Sequence, residues 1–407
     1  MEDNILKTLN PIGVFLLLNN RFRELYSTFL SPPKSWTLPT TAEILIYDQG
    51  GFIPLASYLA NFKTTTLPIR GESINIPSLV LASLTLRFWR GSAFQSYIEA
   101  YIHLVKPCLV ITTTDNDWRF YEISKRFPLL KTVFLQNGVR SNFDIVFGDL
   151  KRKSSFHVDY MFVTCKPVGD KYLEYITGET VAVGTLKNNA VPIEKNIVKD
   201  NVLFIAEWNP KPAKNEPFLV KHSGEVIGWE DFYSSEDYIL SFLDNWCFKN
   251  NKVLLICGRN ESNAESEELF FAERLKKCTW EYRMHAGIQG VYKLIDSAEM
   301  VISIGSTAGY ESLGRGKRTA IFSCRSMTTL SSGANFGWPA HFQENGLFWT
   351  NRMDDTEFER ILGTLSSVSD DNWKNSLDPI LPYIMEYDRN NSKLAILLNE
   401  IVRNSKI

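Results

Sequence analysis

Apolar residues along this chain form short continuous runs, and the longer stretches between them carry apolar residues at helical spacing. In the first half the runs predict five β-strands, at Glu43–Tyr47, Cys108–Thr114, Thr132–Gln136, Tyr160–Cys165 and Thr180–Gly184. The stretches Ser92–Val105 and Trp118–Phe127 are typical of helices. Strands that are apolar throughout and alternate with helices indicate parallel βαβ units, in which helices cover both faces of the sheet.

The alternation stops at residues 185–200, where the sequence TLKNNAVPIEKNIVKD is polar and typical of a linker. Beyond it, strands are predicted at Asn201–Glu207, Val253–Gly258, Met300–Gly305 and Thr319–Cys324. Helices are predicted at Glu236–Lys249, Ala264–Lys277, Gln289–Ala298, Ala308–Gly314 and Asn390–Val402. We therefore predict a first domain over residues 1–190, a second over 191–385, and a C-terminal helix within 386–407 that crosses back to the first domain.

The predicted class is α/β, with two Rossmann-like domains that face each other across a cleft, as in the GT-B plan. Ligands of doubly wound sheets bind where the carboxyl ends of the strands meet. Side chains that follow the strands are therefore the candidate functional residues. Enzymes with several activities share this plan, so the fold alone leaves the function open.

Composition narrows the class of protein. The chain has 44 basic and 46 acidic residues, for a formal net charge of -2, whereas a general nucleic-acid binder needs a basic surplus. The six cysteines are scattered singly and the five histidines form no HxH or HxxxH pair, so no metal site is expected. The chain opens without a basic signal-peptide start, and the apolar run Val14–Leu18 is too short to cross a bilayer. A cytoplasmic protein without a metal cofactor is expected.

The segment from residue 300 to residue 324, MVISIGSTAGYESLGRGKRTAIFSC, carries the strongest chemical signal. A predicted strand enters a loop and helix start formed by Gly305, Ser306, Thr307, Ala308 and Gly309. Free N–H groups and hydroxyls at such a helix start can hold a phosphate, and Glu311, about one turn later, can accept hydrogen bonds from ribose hydroxyls. The alternative is that Ser306 or Thr307 only caps the helix. A Walker loop is absent.

Basic residues follow this loop closely. Arg325 comes just after the strand predicted at Thr319–Cys324, so it is expected to face the cleft, where its guanidinium can engage a carboxylate or phosphate. Lys317 is a second candidate for that role. For Arg315, Lys317 and Arg318, a solvated basic helix end is the competing interpretation.

Polar residues also follow the strands of the first half. Gln136, Asn137 and Arg140 come after one predicted strand and are expected to face the cleft, although a plain turn at Asn-Gly is equally compatible with the pattern. Asp115 and Asp117 follow another strand, where either a functional role or capping of the next helix is possible.

Three carboxylates are candidates for catalysis in the second half. Glu207 ends the first strand after the linker, and Glu230 and Asp231 precede the next predicted helix. Asp231 is a candidate nucleophile or base, with a surface loop acid as the competing interpretation.

Four segments, LQNGVRS, VGTLKNN, ISIGSTAGYESLGRGKRTAIFS and FGWP, together resemble a family of bacterial surface-carbohydrate biosynthesis proteins. The resemblance runs from about Gln136 to Trp349 and is strongest to the retaining β-Kdo transferase modules of the WbbB type, which act in O-antigen synthesis. It implies a GT-B glycosyltransferase that takes CMP-β-Kdo as donor, needs no metal, and retains configuration through a covalent aspartate nucleophile that matches Asp231. Lys317 or Arg325 would then pair with the carboxylate of the donor.

The resemblance also implies an acceptor and a cellular location. The acceptor would be the end of a lipid-linked polysaccharide at the cytoplasmic face of the inner membrane, so peripheral contact with that membrane or with other synthesis modules is expected. Three other functions stay open: a nucleotide-sugar 2-epimerase, a CDP-polyol phosphotransferase, and a non-catalytic glycan-binding subunit.

Overall fold

A computed structural model of the chain describes residues 25–141, 147, 155–194, 196–213, 217–220, 225–259, 261–284 and 287–404. The strands in this part, in chain order, are β1 Lys34–Ser35, β2 Ile44–Tyr47, β3 Thr64–Leu67, β4 Ile74–Asn75, β5 Leu109–Thr112, β6 Lys131–Leu135, β7 His157–Val163, β8 Thr177–Ala182, β9 Asn201–Ile205, β10 Leu219–Val220, β11 Val226–Ile227, β12 Val253–Gly258, β13 Thr279–Met284, β14 Met300–Ser303, β15 Thr319–Phe322 and β16 Trp349–Thr350.

Helices follow most of these strands. The α-helices in the described part are α1 Phe52–Leu59, α2 Ile76–Ser83, α3 Leu86–Arg90, α4 Ala93–Val105, α5 Trp118–Tyr121, α6 Ile123–Arg126, α7 Lys166–Leu173, α8 Leu186–Ala190, α9 Trp229–Lys249, α10 Ala264–Arg274, α11 Gly287–Ser297, α12 Thr307–Gly314, α13 Arg325–Thr328, α14 Asp355–Ser367, α15 Asp370–Leu377, α16 Leu381–Ile384 and α17 Ser392–Asn404. A π-helical turn, Tyr26–Leu30, and 3-10 turns at Gln49–Gly51, Glu261–Asn263, Ser332–Ala334 and Arg389–Asn391 complete the set.

The larger strands form two six-stranded sheets. The first has the order β3-β2-β5-β6-β7-β8, and its pairs β2–β3, β2–β5 and β7–β8 are parallel. The second has the order β13-β12-β9-β14-β15-β16, and each neighbouring pair is parallel. The predicted α/β class with two Rossmann-like sheets is confirmed.

The second sheet has the doubly wound strand order in which the chain reverses its direction of travel across the sheet. From β9 the chain moves outward through β12 to β13, and then returns to the other side of β9 to place β14, β15 and β16. The reversal lies between β9 and β14, whose Phe204 and Ile302 stand opposite each other. Ligands of such sheets bind outside the carboxyl ends of the strands at this reversal.

Alternate residues of the second sheet enter two separate cores. Along β9, Val202 and Phe204 pack into one core and Leu203 and Ile205 into the other, because successive side chains of a strand point to opposite faces. All four are at most 3% exposed. This double burial explains why the strands are apolar throughout rather than alternating with polar residues.

Contact density divides the chain into two compact units. The first ends at Val133 and also takes the residues from Asn399 onward, and the second is Phe134–Leu398. The boundary lies inside β6. The segment 185–200, expected to be a linker, separates β8 from β9 but is not irregular throughout, because Thr185 caps the helix α8.

A buried ion pair fixes this connecting segment to the second sheet. The Arg315 guanidinium binds the Asp296 carboxylate through two nitrogens, and neither side chain is more than 2% exposed. The same guanidinium donates to the carbonyl oxygens of Val191 and Pro192 at 3.1 and 3.0 Å. Arg315 is therefore a structural residue rather than part of a solvated helix end.

Replacing Arg315 with methionine should lower the free energy of unfolding by about 3–5 kcal/mol, because the Asp296 carboxylate would stay buried without its partner. Arg318→Met is the matched control: Arg318 pairs with Asp370, whose side chain is 95% exposed, so its loss should cost less than about 1 kcal/mol. Urea unfolding followed by circular dichroism measures both. Equal effects of the two substitutions would contradict the structural role of Arg315.

Candidate functional site

The carboxylate of Glu207 lies at the carboxyl end of β9, where the second sheet reverses. Its Oε1 accepts a hydrogen bond from the Gly305 N–H at 2.8 Å, and its Oε2 forms an ion pair with Arg325. Gly305 follows β14 and Arg325 follows β15. One carboxylate therefore joins the ends of three neighbouring strands.

Arg325 is held by a second carboxylate from α9. Its Nη2 donates to Glu236 Oε2 at 2.9 Å, and its guanidinium lies over the Phe232 ring at 4.3 Å from the centroid. Burial of Arg325 opposes its charged form, but Glu207 and Glu236 together raise the pKa of the guanidinium. Arg325 is thus a permanent cation whose two Nη groups are already engaged by protein carboxylates.

Glu236 is a fully buried carboxyl group. Burial raises its pKa to about 7, because the low-dielectric surroundings disfavour the ionised form more than Arg325 favours it. Its Oε1 and the Nε of Arg325 are buried without a hydrogen-bond partner among the described residues. The Glu207–Arg325–Glu236 cluster therefore changes its net charge near neutral pH.

The start of α12 presents free backbone donors beside this cluster. Gly305 and Ser306 donate their N–H groups to Glu207 and to the Ser303 hydroxyl, whereas Thr307 and Ala308 find no acceptor within the described residues. Such N–H groups, together with the helix dipole, favour an anion at this position.

Gly309 sets how closely α12 approaches its strand. A Cβ atom at this position would lie 2.3 Å from the Ser303 side chain, so only glycine allows the observed packing of α12 on β14. Gly305, in contrast, has open space around a Cβ position and a Glu207 oxygen 4.0 Å away. The second glycine of the motif therefore carries the steric requirement.

Thr307 also connects α12 to the loop that follows β6. Its hydroxyl oxygen accepts the Val139 N–H at 3.0 Å, and a Cβ atom on Gly138 would approach that oxygen to 2.9 Å. Close contact of the loop with the helix start therefore needs a residue without a side chain at position 138.

Two cavities flank this helix start. The first, here the Arg325 cavity, has a volume of about 210 Å³ and is lined by Val139, Arg140, Ser141, Phe232, Ile304, Gly305, Tyr310, Arg325, Thr329, Gly333, Ala334, Asn335 and Trp338. The second, the helix-start cavity, has a volume of about 260 Å³ and is lined by Asn137, Lys187, Ile205, Ala206, Cys257, Gly258, Arg259, Gly287, Val291, Tyr292, Ser306, Thr307, Ala308 and Glu311.

Eight of the residues selected from the sequence line these cavities. Gly305, Arg140 and Arg325 line the Arg325 cavity. Those that line the helix-start cavity are Asn137, Ser306, Thr307, Ala308 and Glu311. Glu311 is buried and accepts hydrogen bonds from the hydroxyls of Thr185 and Tyr292, the latter at 3.1 Å.

Lys317 and Gln136 are corrections to the sequence-based assignment. Lys317 is buried and lines neither cavity, because its ammonium group donates to the Asp296 carbonyl at 2.9 Å. Gln136 is buried too: it accepts from the Thr164 N–H and donates to the Gly138 carbonyl. Both side chains satisfy backbone groups, so neither is positioned to bind a ligand.

Helix α9 begins earlier than predicted, which changes the surroundings of Asp231. The helix starts at Trp229 rather than at Glu236, so Glu230 and Asp231 lie in its exposed first turn instead of in a loop. Glu230 forms an ion pair with Lys211. Asp231 lines neither cavity, although its neighbour Phe232 does.

Asp117, in the first unit, caps the next helix, which is one of the two roles considered for it from the sequence. Its carboxylate accepts the Arg119 N–H at 3.0 Å at the start of α5 and also accepts from the Tyr47 hydroxyl at 2.8 Å. Asp115 is fully buried. Both residues belong to the internal structure of the first unit.

A family of polysaccharide proteins matches most of this architecture. The family model described as "putative O-antigen biosynthesis protein" matches residues 133–402, which is more than half of the 407-residue chain. The chain belongs to this O-antigen biosynthesis family. The matched region contains both cavities and every residue of the Glu207–Arg325–Glu236 cluster.

Solved structures with a similar chain fold include three sugar- and polymer-processing proteins. The wall teichoic acid polymerase TagF is 9% identical, with 89% of this chain and 90% of that chain covered and a TM-score of 0.48. The UDP-GlcNAc 2-epimerase of Methanocaldococcus jannaschii is 11% identical, with 88% and 99% covered and a TM-score of 0.48. The Neisseria meningitidis UDP-GlcNAc 2-epimerase is 9% identical, with 89% and 99% covered and a TM-score of 0.47. No curated protein matches the chain in sequence.

Several residues that line the two cavities or hold Arg325 were not selected from the sequence. Lys187 and Arg259 bring positive charge to the helix-start cavity, and Trp338 brings an aromatic ring to the other cavity. Glu236 had a usable signal, because it falls on the apolar face of α9 in register with Phe232 and Leu240. An acid at such a position is buried, so it either pairs with a cation or stays protonated.

Within the residues that the structure describes, no group of three or more His, Cys, Asp or Glu side chains is arranged to hold a metal ion. Among the same residues, no helix is both long and apolar enough to cross a membrane.

The buried Glu236 predicts a pH dependence of stability. Its pKa is raised to about 7 in the folded protein, so it binds a proton more tightly there than in the unfolded chain. Its contribution to stability is full below pH ~4.5 and is lost as the pH rises through 7, by on the order of 3 kcal/mol. The wild type should therefore lose stability relative to Glu236→Gln as the pH rises from 4.5 to 7.

The matched control is Glu230→Gln on the same helix, because the pKa of exposed Glu230 is lowered by Lys211 and its titration falls below this window. Urea unfolding at intervals of half a pH unit measures both differences. A difference between wild type and Glu236→Gln that stays flat across the window would contradict the assignment.

Proposed function

We propose that the protein is a GT-B glycosyltransferase and that its helix-start cavity holds the phosphate of a nucleotide-sugar donor. The observation that carries this proposal is the combination, at the reversal of the second sheet, of two free N–H groups with two cations. Thr307 and Ala308 supply the N–H groups, and Lys187 and Arg259 supply the charge. These donors would also stabilise the negative charge that develops on the phosphate when it leaves.

Glu311 is the proposed partner of the ribose. Burial raises the pKa of its carboxyl group, against the effect of the hydrogen bonds from Thr185 and Tyr292. A carboxylate has about four lone-pair sites, so two hydrogen bonds from the protein leave sites for ribose hydroxyls. Its position in the same cavity as Thr307 suits a nucleoside attached to the phosphate.

The Arg325 cavity is the proposed site of the transferred sugar. Phe232, Tyr310 and Trp338 supply aromatic surface for a sugar ring, and Arg140 supplies positive charge. Arg325 was a candidate to bind the carboxylate of Kdo, but its Nη groups are engaged by Glu207 and Glu236. Arg140, a cation that lines the same cavity, is the proposed partner of that carboxylate, and Arg325 is the residue that positions Glu207.

The resemblance to β-Kdo transferases supplies the finer proposal. The donor is CMP-β-Kdo, the acceptor is a lipid-linked O-antigen polysaccharide, and transfer retains configuration without a metal ion. The Asp231 carboxylate attacks the anomeric carbon while the bond from that carbon to the phosphate oxygen breaks and CMP leaves. An acceptor hydroxyl then attacks the same carbon, the bond from that carbon to the Asp231 oxygen breaks, and the hydroxyl proton passes to solvent water.

Asp231 suits this step for two reasons. It lies in the first turn of the long helix α9, where the helix dipole stabilises a negative charge. It is also exposed and next to Phe232 of the Arg325 cavity. Glu207 is the second candidate, although both of its oxygens are bound by Gly305 and Arg325.

Thr307→Glu should abolish nucleotide binding, because it places a carboxylate where the phosphate is proposed to lie. Thermal shift with CMP, CDP, UMP, UDP and GDP tests this: the matching nucleotide at about 100 times its Kd stabilises the wild type by roughly 2.7 kcal/mol. The control is Thr356→Glu, the same change in the first turn of α14. A thermal shift of Thr307→Glu as large as that of the wild type would show that the phosphate binds elsewhere. A preference for UDP would exclude CMP-β-Kdo as the donor.

Asp231→Asn should bind the donor yet lose transfer by several orders of magnitude, since the shape is kept and the nucleophile is removed. With CMP-β-Kdo, EDTA and no acceptor, intact-protein mass spectrometry should show a sugar adduct on the wild type that maps to Asp231. Asp237→Asn is the control, because Asp237 is an exposed acid of the same helix that pairs with Arg274.

An adduct on Glu207 would support the double displacement but identify Glu207 as the nucleophile. Full activity of Asp231→Asn would remove Asp231 from the mechanism. Turnover of the donor sugar without any acceptor, and without an adduct, would identify an epimerase instead.

A further inference from the structure

The helical hairpin of the first unit, formed by α2 and α3, exposes an apolar surface. Val80, Leu84, Leu86 and Trp89 are 55, 78, 71 and 56% exposed, and the first two are four residues apart and the last two three apart, so each pair shares a helix face. The opposite side, with Ala82 and Phe88, is buried, and both helices pack on α4. The exposed side is therefore not needed to build the core of the unit.

The polar groups of this hairpin are satisfied from within. The hydroxyls of Ser83 and Thr85 donate to the carbonyls of Val80 and Ala82 at 2.8 and 2.7 Å. The Trp89 indole N–H donates to the Ser83 carbonyl at 2.7 Å, which fixes its exposed ring at the turn. The surface thus offers a partner apolar contact and few directional hydrogen bonds, which meets the requirement for contact with hydrocarbon.

The charged side chains of the hairpin itself, Arg87 and Arg90, are both basic. Residues 74–92 contain no acidic side chain, and the exposed Arg90 ends α3. Arg87 is engaged by Glu99 and Glu122, so it holds the hairpin on its own unit. An apolar tip with tryptophan and an exposed arginine complements a bilayer whose headgroups are anionic.

We propose that the surface formed by Val80, Leu84, Leu86 and Trp89 docks the protein on an anionic lipid bilayer, with Arg90 at the headgroups. The leucines and Trp89 enter the boundary between headgroups and acyl chains. The inference does not depend on the proposed glycosyl transfer, because it rests on the first unit alone.

The test is co-sedimentation of the full chain with vesicles of phosphatidylethanolamine and phosphatidylglycerol, and with phosphatidylcholine vesicles for comparison. We expect binding to the anionic vesicles that weakens as salt is added. The double variant Leu84→Asp with Leu86→Asp should lower the partition coefficient at least ~tenfold, because two apolar side chains no longer leave water. Arg90→Gln should reduce binding several-fold to anionic vesicles only.

Leu129→Asp is the matched control, because Leu129 is 95% exposed in the same unit but outside the hairpin, and it should bind like the wild type. Unchanged thermal unfolding of the double variant would show that it folds. Equal binding of the double variant and Leu129→Asp, or no binding of the wild type to either vesicle, would overturn the proposal. A wild-type dimer in sedimentation velocity that the double variant converts to a monomer would assign the surface to a second copy of the chain instead.

Discussion

The carboxylate of Glu207 is the contact on which the candidate site depends. It binds the Gly305 N–H and Arg325 at once, so the ends of β9, β14 and β15 are held in one arrangement. Removing the Glu207 carboxylate would leave buried Arg325 with Glu236 as its one carboxylate partner and would release both the helix start and the wall of the Arg325 cavity. The reversal of the second sheet brings these strand ends together, and Glu207 fixes them there.

The buried strands and the loop before α12 could be predicted from the sequence. The strands Val253–Gly258 and Met300–Ser303 lie where the apolar runs predicted them, because both faces of the sheet are buried and no other pattern fits. The loop before α12 was also identifiable, since a buried strand that ends in glycine, serine and threonine carries its signal locally. The edge strand β13 was missed, because its residues alternate between exposed and half-buried and are largely polar.

The parts that escaped prediction depend on contacts between residues distant in sequence. Arg325 was placed correctly at the end of a strand, but its engagement by Glu207 and Glu236, more than 80 residues away, decides that its Nη groups are not free for substrate. Lys317 belongs to the same basic run and turns inward to a backbone carbonyl. Position along the chain determines which strand end a side chain follows, whereas the packed neighbours determine what that side chain can bind.

The hydroxyl of Thr307 has one proton to donate and has used only an acceptor site, for the Val139 N–H. A bound phosphate would accept a hydrogen bond from that hydroxyl, and each hydrogen bond on the oxygen would polarise and strengthen the other. The contact between Val139 and Thr307 would then strengthen phosphate binding, and phosphate binding would strengthen that contact by the same free energy, since such coupling is reciprocal. The methyl group of Thr307, which a serine would lack, restricts rotation about χ1. The hydroxyl is therefore oriented toward Val139 before any ligand binds.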